Sequence, residues 1–271
     1  MLLPYHYVGI KPSQPELDPH NPLNRRRVSW PLLMGGPGRF NALTLVPGLG
    51  NMSAVPAGFH SAPGVAASPY GAEFDDGSTM DGLTITDAAA FLQKNTFTAR
   101  VRVRAQVFTN ELTIFGSGGN YPSGTWRIDL NNTTVRLRQV HIGGTNRSST
   151  FTFDADKSTR EPYDLIFRRF PYANDELWTH AGKASGGDNY GDLLMGGSWS
   201  GYIGDSASGA RPADGIIEIC DFWDRILSVC EMRQIFNDPM AGIVTPRYVP
   251  VRAPVAGGGI NMALMRRRRA A

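Results

Sequence analysis

Residues 214–239 read DGIIEICDFWDRILSVCEMRQIFNDP. A glycine turn opens this stretch, and the apolar residues after it predict one strand over 216–223. Ser228 and Glu231 have the spacing of a capping box, which satisfies backbone donors in the first turn of a helix. The stretch therefore predicts a strand followed by a short helix over 229–236, stopped by the Asn-Asp-Pro that comes next.

A second stretch has the period-two pattern of a strand. Residues 97–107 alternate apolar and polar side chains, which places Arg100, Arg102 and Arg104 on one face. The residues predicted to enter the core from the other face are Val101, Val103 and Ala105. Further strands are predicted over 112–115, 125–130, 134–140, 151–153, 163–170, 176–180 and 193–195. Short strands separated by Gly and Asn turns, with almost no helix, indicate an all-β, antiparallel β-sandwich.

The composition fits a chain that buries a substantial core. At 271 residues and 41% hydrophobic content, it is long enough for one large β domain or two ordinary ones. No apolar stretch approaches the roughly 18 residues of a membrane helix, and the first residues lack the layout of a signal peptide. We therefore expect that the protein is made in a cytoplasm and does not insert into a membrane. Cys220 and Cys230 do not form a disulfide framework, and we expect buried free thiols.

Both ends of the chain differ from its middle. Residues 1–27 contain five prolines, which favour extended backbone, so we interpret them as an arm. Residues 240–271 are rich in Pro and Gly and contain six arginines and no acidic residue, which indicates a second, basic arm. The predicted folded body is 28–239. Because the body is net acidic and the arms are basic, the pattern favours acidic partner surfaces, including other copies of this chain.

The arms supply the predicted assembly contacts, which are apolar anchors and basic residues. They are Leu2, Leu3, Arg25, Arg26, Arg27, Ile260, Met262, Leu264, Met265, Arg266, Arg267, Arg268 and Arg269. Four consecutive arginines without stacking aromatic residues are a weak signal for nucleic acid. Against an acidic protein surface the same run forms a salt-sensitive clamp. We therefore expect protein partners and not nucleic acid.

Several blocks of the chain together resemble laminin-G-like (concanavalin A-like) jelly-roll domains. The strand, Leu-Ser, helix and Asp-Pro order of 214–239 is similar to the closing signature of that family. The other blocks are Asn21-Pro22-Leu23-Asn24-Arg25 with Val28-Ser29-Trp30, Phe40-Asn41 to Gly50-Asn51, Tyr70 to Gly77, Phe97 to Arg102, Tyr163 to Phe167, and Leu193 to Gly197. The resemblance implies a jelly roll that binds glycans or proteins and rarely performs chemistry.

The tail after the helix extends the resemblance. Residues 237–251, NDPMAGIVTPRYVPV, are similar to the end of a version of this domain that is common in tailed bacteriophage genomes. The resemblance implies a virion component that assembles in the bacterial cytoplasm. We expect a capsid decoration or cement protein, with its arms laced into capsid or tail subunits and into copies of itself. The alternative is a tail-fibre or tail-associated adhesin that binds a host glycan.

Aromatic residues are the candidates for a glycan site. Tyr190, Trp199 and Tyr202 lie in a stretch rich in Gly, Ser and Asp, where exposure is more plausible than in a strand. Trp126 lies in a predicted strand, where an aromatic side chain more often belongs to the core.

No catalytic site emerges from the pattern. Jelly-roll glucanases use two carboxylates on one face of the sheet, about 5–5.5 Å apart. Glu218 and Asp221 are an odd number of positions apart, so a regular strand places them on opposite faces. The five histidines show no paired metal spacing. We therefore predict a non-enzymatic protein without a cofactor.

Calcium is the one metal that the resemblance implies, because laminin-G-like rims often hold it with aspartates and loop carbonyls. The candidate ligands are Asp75, Asp76, Asp81, Asp205 and Asp214. The other interpretation of these residues is that they stabilise turns or are simply solvated.

Overall fold

The structure of this protein is a computed structural model, and it describes about half of the chain. The described residues are 16–17, 20–29, 56–59, 65–67, 72–74, 83–85, 94–105, 112–117, 126–131, 134–140, 146–152, 162–188, 201–204 and 215–244. The residues before 16 and beyond 244, which hold most of the predicted assembly contacts, lie outside them.

The described strands form two large antiparallel sheets and one small ribbon. The seven-stranded sheet has the order β11-β10-β9-β8-β15-β6-β3, and the eight-stranded sheet has the order β14-β13-β12-β7-β16-β5-β4 with β2 beside β16. The ribbon pairs β1 with β17. The strands are β1 (Glu16–Leu17), β2 (Arg27–Ser29), β3 (Pro56–Phe59), β4 (Val65–Ala67), β5 (Ala72–Phe74), β6 (Leu83–Ile85), β7 (Phe97–Ala105), β8 (Leu112–Ser117), β9 (Trp126–Asn131), β10 (Thr134–Val140), β11 (Asn146–Thr152), β12 (Tyr163–Arg169), β13 (Glu176–Thr179), β14 (Gly182–Lys183), β15 (Gly201–Ile203), β16 (Gly215–Trp223) and β17 (Ile243–Val244). This arrangement confirms the predicted jelly-roll β-sandwich.

The core lies between the two large sheets. Trp126 of the seven-stranded sheet stacks on Phe97 and Phe222 of the eight-stranded sheet, with ring centroids 4.7 Å and 5.7 Å apart. Val101 and Val103 are buried on the same face of β7, as their alternation predicts. The prediction that Trp126 is a core residue is also confirmed.

A helix covers the outer face of the eight-stranded sheet. Helix α1 (Val229–Asn237) begins at the predicted capping box: the Ser228 hydroxyl accepts from the Glu231 amide, and the Glu231 carboxylate accepts from the Ser228 amide. Its apolar side, Met232 and Ile235, packs on a cluster of buried residues from the sheet, the N-terminal segment and the segments on either side of the helix. Those residues are Leu23, Ile166, Trp223, Leu227 and Ala241. Helix packing therefore closes the outer face at this end of the sheet.

The last part of the predicted N-terminal arm belongs to the folded body. Leu23 is fully buried, and its carbonyl accepts from the Trp223 indole at 2.6 Å. Beyond it, β2 pairs with the end of β16. Residues 23–27 therefore pack with the described body, and the proline-rich pattern that suggested an arm stops at Pro22.

The two cysteines differ in environment. Cys220 is buried on the core face of β16, as predicted, and burial raises the pKa of its thiol. Cys230 is exposed, so the prediction that both thiols are buried is wrong for this residue. The reason is its position on the solvent side of α1, whose opposite side packs on the sheet. In the described segments, no helix is both long and apolar enough to span a membrane.

Candidate functional site

Ionic side chains cover the outer face of the eight-stranded sheet beside α1. We call them the arginine–carboxylate cluster; its members are Arg27, Arg100, Arg102, Arg104, Asp164, Glu218 and Asp221. Strand β7 supplies three of the arginines through its alternation, as predicted, and β16 and β12 supply the carboxylates. All three carboxylate side chains are buried. The polar face of β7 is therefore an internal ionic layer instead of a solvated face.

A β-bulge decides which residues share this face. The pairing of β16 with β7 shifts register between Ile217 and Ile219, so Glu218 is the extra residue. Glu218 accepts from Arg102 at 2.7 Å and also from Arg104, while Asp221 accepts from Arg100 at 3.3 Å. The prediction that Glu218 and Asp221 point to opposite faces is therefore wrong, because it assumed a regular strand.

Sharing a face does not make these two carboxylates an acid–nucleophile pair. Both oxygens of Glu218 accept from guanidinium groups, and so do both oxygens of Asp221. A glycosidase needs one carboxyl that gives a proton and one oxygen open to the sugar. The geometry holds the charges in place and leaves neither oxygen pair open for that chemistry.

Asp164 is the third carboxylate of the cluster. Burial by itself would raise its pKa, but Arg100 and Arg102 act in the opposite direction and hold the pKa below its ordinary value. Its second oxygen lies 3.6 Å from the imidazole of His180, which is half-exposed and packs against Phe236 of α1. The cluster is therefore anchored to the strand β12 as well as to the helix.

Arg25, Arg26 and Arg27 lie together beside the end of β16, but they face different surroundings. Arg27 is only 3% exposed, and its guanidinium donates to Asp221 at 2.6 Å and to Asn24 at 3.1 Å. Arg27 is therefore an internal ion-pair partner, and its guanidinium is not exposed for the predicted assembly contact. Arg26 is 61% exposed with a 3.2 Å ion pair to Asp224, and Arg25 is also exposed.

Two segments that are far apart in the sequence pair in a short ribbon, which we call the terminal stem. It pairs Glu16 with Val244 and Leu17 with Ile243. Asn24 fastens the stem to the body, because its amide donates to the Gly242 carbonyl at 2.7 Å. Residues 1–15 and 245–271 therefore begin at neighbouring points of the folded body.

A loop between β12 and β13 presents an aromatic residue that the sequence analysis missed. Tyr172 is 84% exposed, and it is the only exposed large hydrophobic side chain among the residues that the structure describes. Three residues later, Asp175 is buried, and its carboxylate accepts from Gln139, Ser149 and the Phe170 amide. The signal in the sequence was the stretch Pro171-Tyr172-Ala173-Asn174, a turn-forming run between two apolar strands.

Burial has the largest effect on the pKa of Asp175. It raises the pKa of the carboxyl to about 6, against the hydrogen bonds from Ser149 and Gln139, the Phe170 amide and the charge of Arg169. Because the pKa is higher in the folded state than in the unfolded chain, the protonated form stabilises the fold. That contribution is complete below about pH 4 and is lost as the pH rises through about 6.

The pH dependence of Asp175 is testable with Asp175→Asn. From pH 4 to pH 7, the unfolding free energy of the wild type is expected to fall relative to the variant by about 2 kcal/mol. Urea denaturation of both proteins across this range measures the difference, and titrations common to both cancel. A difference that does not change with pH would contradict the assignment.

The remaining predicted site residues lie outside the described side chains. Tyr202 is in β15, but only its backbone is described, and Tyr190 and Trp199 are outside the described residues. The five aspartates proposed for calcium are also outside them. Within the described segments, no group of three or more His, Cys, Asp or Glu residues is arranged to hold a metal ion.

Comparison with known proteins finds similarity only in structure. No family model and no curated protein matches the sequence. Among solved structures, the chain is similar to the botulinum neurotoxin type G receptor-binding domain, with a TM-score of 0.45 and 12% identity over 59% of this chain and 40% of that one. The botulinum neurotoxin serotype D binding domain gives a TM-score of 0.44 and 12% identity over 59% and 40%. The match thus spans less than half the length of either structure.

Proposed function

We propose that this protein is a non-enzymatic structural component of a tailed-bacteriophage virion, and specifically a capsid decoration protein. The observation that supports the proposal is the terminal stem. The two segments that carry the expected anchors, before residue 16 and beyond residue 244, begin side by side on the body. Segments that begin at one point can engage one seam between neighbouring subunits while the jelly roll stays on the particle surface.

The internal ion pairing of the body also supports a structural role. Four arginines and three carboxylates of the arginine–carboxylate cluster bond to one another, so the charges of these seven residues are compensated within the body. The laminin-G-like and phage-like motifs of the sequence point in the same direction. In this proposal the arms bind the assembled shell and not the free subunits, and therefore raise the free energy needed to separate capsomers.

Deletion of the arms tests the proposal. Removal of 1–15 or of 255–271 is expected to abolish incorporation into particles, because each deletion removes anchors while leaving the terminal stem intact. Incorporation is measured by quantifying the protein in purified particles of a phage that carries the deletion. The melting temperature of the isolated protein is expected to stay within about 2 °C, because both deletions leave every described core residue in place.

Two matched variants separate charge from sequence in the basic run. Replacing Arg266–Arg269 with four lysines keeps the charge and is expected to preserve most incorporation, whereas four glutamines are expected to reduce it. Full incorporation of a protein lacking both arms would refute the proposal. Labelling intact particles locates the protein independently: labels over the whole shell agree with decoration, and labels only at tail tips contradict it.

A further inference from the structure

Residues 184–188, which we call the strap, connect the edges of the two large sheets. They follow β14, the edge strand of the eight-stranded sheet, and then lie along β11, the outermost described strand of the seven-stranded sheet. The Thr152 amide donates to the Ser185 carbonyl at 3.2 Å. The Gly187 amide donates to the Thr150 carbonyl, also at 3.2 Å. The strap therefore pairs backbone groups that an edge strand would otherwise leave open.

Two glycines let the strap lie close to its neighbours. Gly186 and Gly187 have φ angles of +107° and +92°. A Cβ at Gly186 would lie 2.2 Å from the Thr150 carbonyl oxygen, and one at Gly187 would lie 2.1 Å from the Asp175 carbonyl oxygen. Both the backbone conformation and the available space therefore require glycine, and the strap fits between β11 and the β12–β13 loop.

Beneath the strap, the hydroxyl of Ser149 is shared between the strap and a buried carboxyl. The Ser149 Oγ lies 2.5 Å from Oδ2 of Asp175 and 3.3 Å from the carbonyl oxygen of Asp188 in the strap. The Asp188 amide donates to the same Oγ at 3.4 Å. A serine hydroxyl has one hydrogen to donate. It can therefore donate to the carboxyl or to the strap carbonyl, but not fully to both.

The protonation state of Asp175 determines which of these bonds forms. An ionised carboxylate only accepts hydrogen bonds, so it takes the Ser149 hydrogen and the Asp188 carbonyl loses that donor. A protonated carboxyl donates to the Ser149 Oγ instead, and the Ser149 hydrogen is then available to the Asp188 carbonyl. Protonation of Asp175 therefore adds one hydrogen bond that holds the strap on β11.

The surroundings of Asp175 act in the same direction. Its side chain is 2% exposed, and burial raises its pKa to about 6 although the charge of Arg169 opposes the shift. The other described charged residues on the elements beside it, Arg147 of β11 and Asp188, are exposed. Opening of the strap admits water to the carboxyl and returns the pKa towards its ordinary value. Because the closed form binds the proton more tightly, low pH favours closure, and opening increases as the pH rises through about 6.

We propose that the strap is a proton-controlled closure of the β11 edge, which protonated Asp175 holds on the sheet and ionised Asp175 loosens. Opening leaves the Thr150 carbonyl and the Thr152 amide without their strap partners, and an open edge of this kind can pair with another strand. The sandwich itself stays folded, because none of the described core residues belongs to the strap. The closure does not depend on the structural role proposed above.

Native-state hydrogen exchange of the isolated full chain, followed by NMR, measures strap opening at single amides. The Thr152 and Gly187 amides report it directly, because each bonds between β11 and the strap. After correction for intrinsic base-catalysed exchange, their opening constants are expected to rise about tenfold from pH 5 to pH 7.5. Amides of β7 are expected to stay far better protected at both pH values. Strap opening that does not change with pH overturns the proposal, and so do strap amides that are as protected as those of β7.

Asp175→Asn removes the titrating group, so the opening constants are expected to agree within about twofold at the two pH values. Glu176→Gln is the matched control, because it removes the next carboxyl in the chain, which pairs with Arg168 and Lys183 instead of the strap. This control is expected to keep the tenfold rise. A rise that persists in Asp175→Asn, or that disappears in Glu176→Gln, contradicts the assignment to Asp175.

A second pair of variants tests the fit of the strap independently of pH. Gly187→Ala places a Cβ against the Asp175 carbonyl oxygen and is expected to raise opening at the Thr152 amide about a hundredfold at pH 5. Gly182→Ala has a similar positive φ, +114°, but its Cβ would meet nothing within 4 Å. Its effect is expected to be about tenfold smaller, since only backbone strain remains. Equal effects of the two variants would overturn the close fit that closure requires.

Discussion

Asp221→Ala is expected to lower the free energy of unfolding by about 3–5 kcal/mol. The carboxylate is fully buried and accepts from Arg27 at 2.6 Å and from Arg100 at 3.3 Å. Removing it leaves two buried guanidinium groups without this charge partner, and water cannot replace it because both arginines are almost completely enclosed. Urea denaturation at pH 7, followed by circular dichroism, measures the change.

Asp224→Ala is the matched control for this prediction. Asp224 lies three residues further along the chain and pairs with Arg26 and Lys94, but both partners are partly exposed. Surface ion pairs contribute little, so the loss is expected to stay below about 1 kcal/mol. Equal losses for the two aspartates would show that Asp221 is solvated in solution and that the arginine–carboxylate cluster is not closed.

Trp126→Ala is expected to destabilise the protein by a similar amount, about 3–5 kcal/mol. Its ring is buried between the two sheets and stacks on Phe97 and Phe222. Truncation removes buried apolar area and opens a cavity where the sheets meet, and the β-sandwich backbone can collapse into it only in part. The same urea titration, with the m-value checked for two-state unfolding, gives the result.

Tyr172→Ala provides the comparison for the loss of Trp126. Both changes remove an aromatic ring, but Tyr172 is 84% exposed, so its truncation is expected to change stability by less than about 0.5 kcal/mol. A loss above 2 kcal/mol for Tyr172→Ala would mean that its ring is covered in solution.

The regular elements follow from local patterns in the sequence. The alternation over 97–107 predicts the strand β7 and the inward position of Val101 and Val103, because successive side chains of a strand point to opposite faces. The capping-box spacing of Ser228 and Glu231 predicts where α1 begins, because it acts within one turn of the chain. Both signals depend only on residues that are close in the sequence, so they can be interpreted without knowing which other segments pack against them.

The candidate sites depend on contacts that no short window of sequence contains. Glu218 and Asp221 share a face only because β16 has a bulge against β7, and a period-two argument has no means to place that extra residue. Arg27 belongs to an arginine triplet that resembles a solvated basic patch. In the fold, however, it is buried and paired with Asp221, which lies 194 positions further along the chain. Long-range pairing decided both outcomes.

The sequence by itself determined the class of fold, long strands such as β7, β12 and β16, and the single described α-helix, since hydrophobic periodicity and capping are local properties. Only the tertiary structure decided that the charged face of β7 is internal, that the terminal segments begin together at the stem, and that Tyr172 is held exposed by the buried Asp175. The physical reason is that burial and ion pairing depend on which residues meet in space. Residues close in sequence then experience opposite environments, as Tyr172 and Asp175 do.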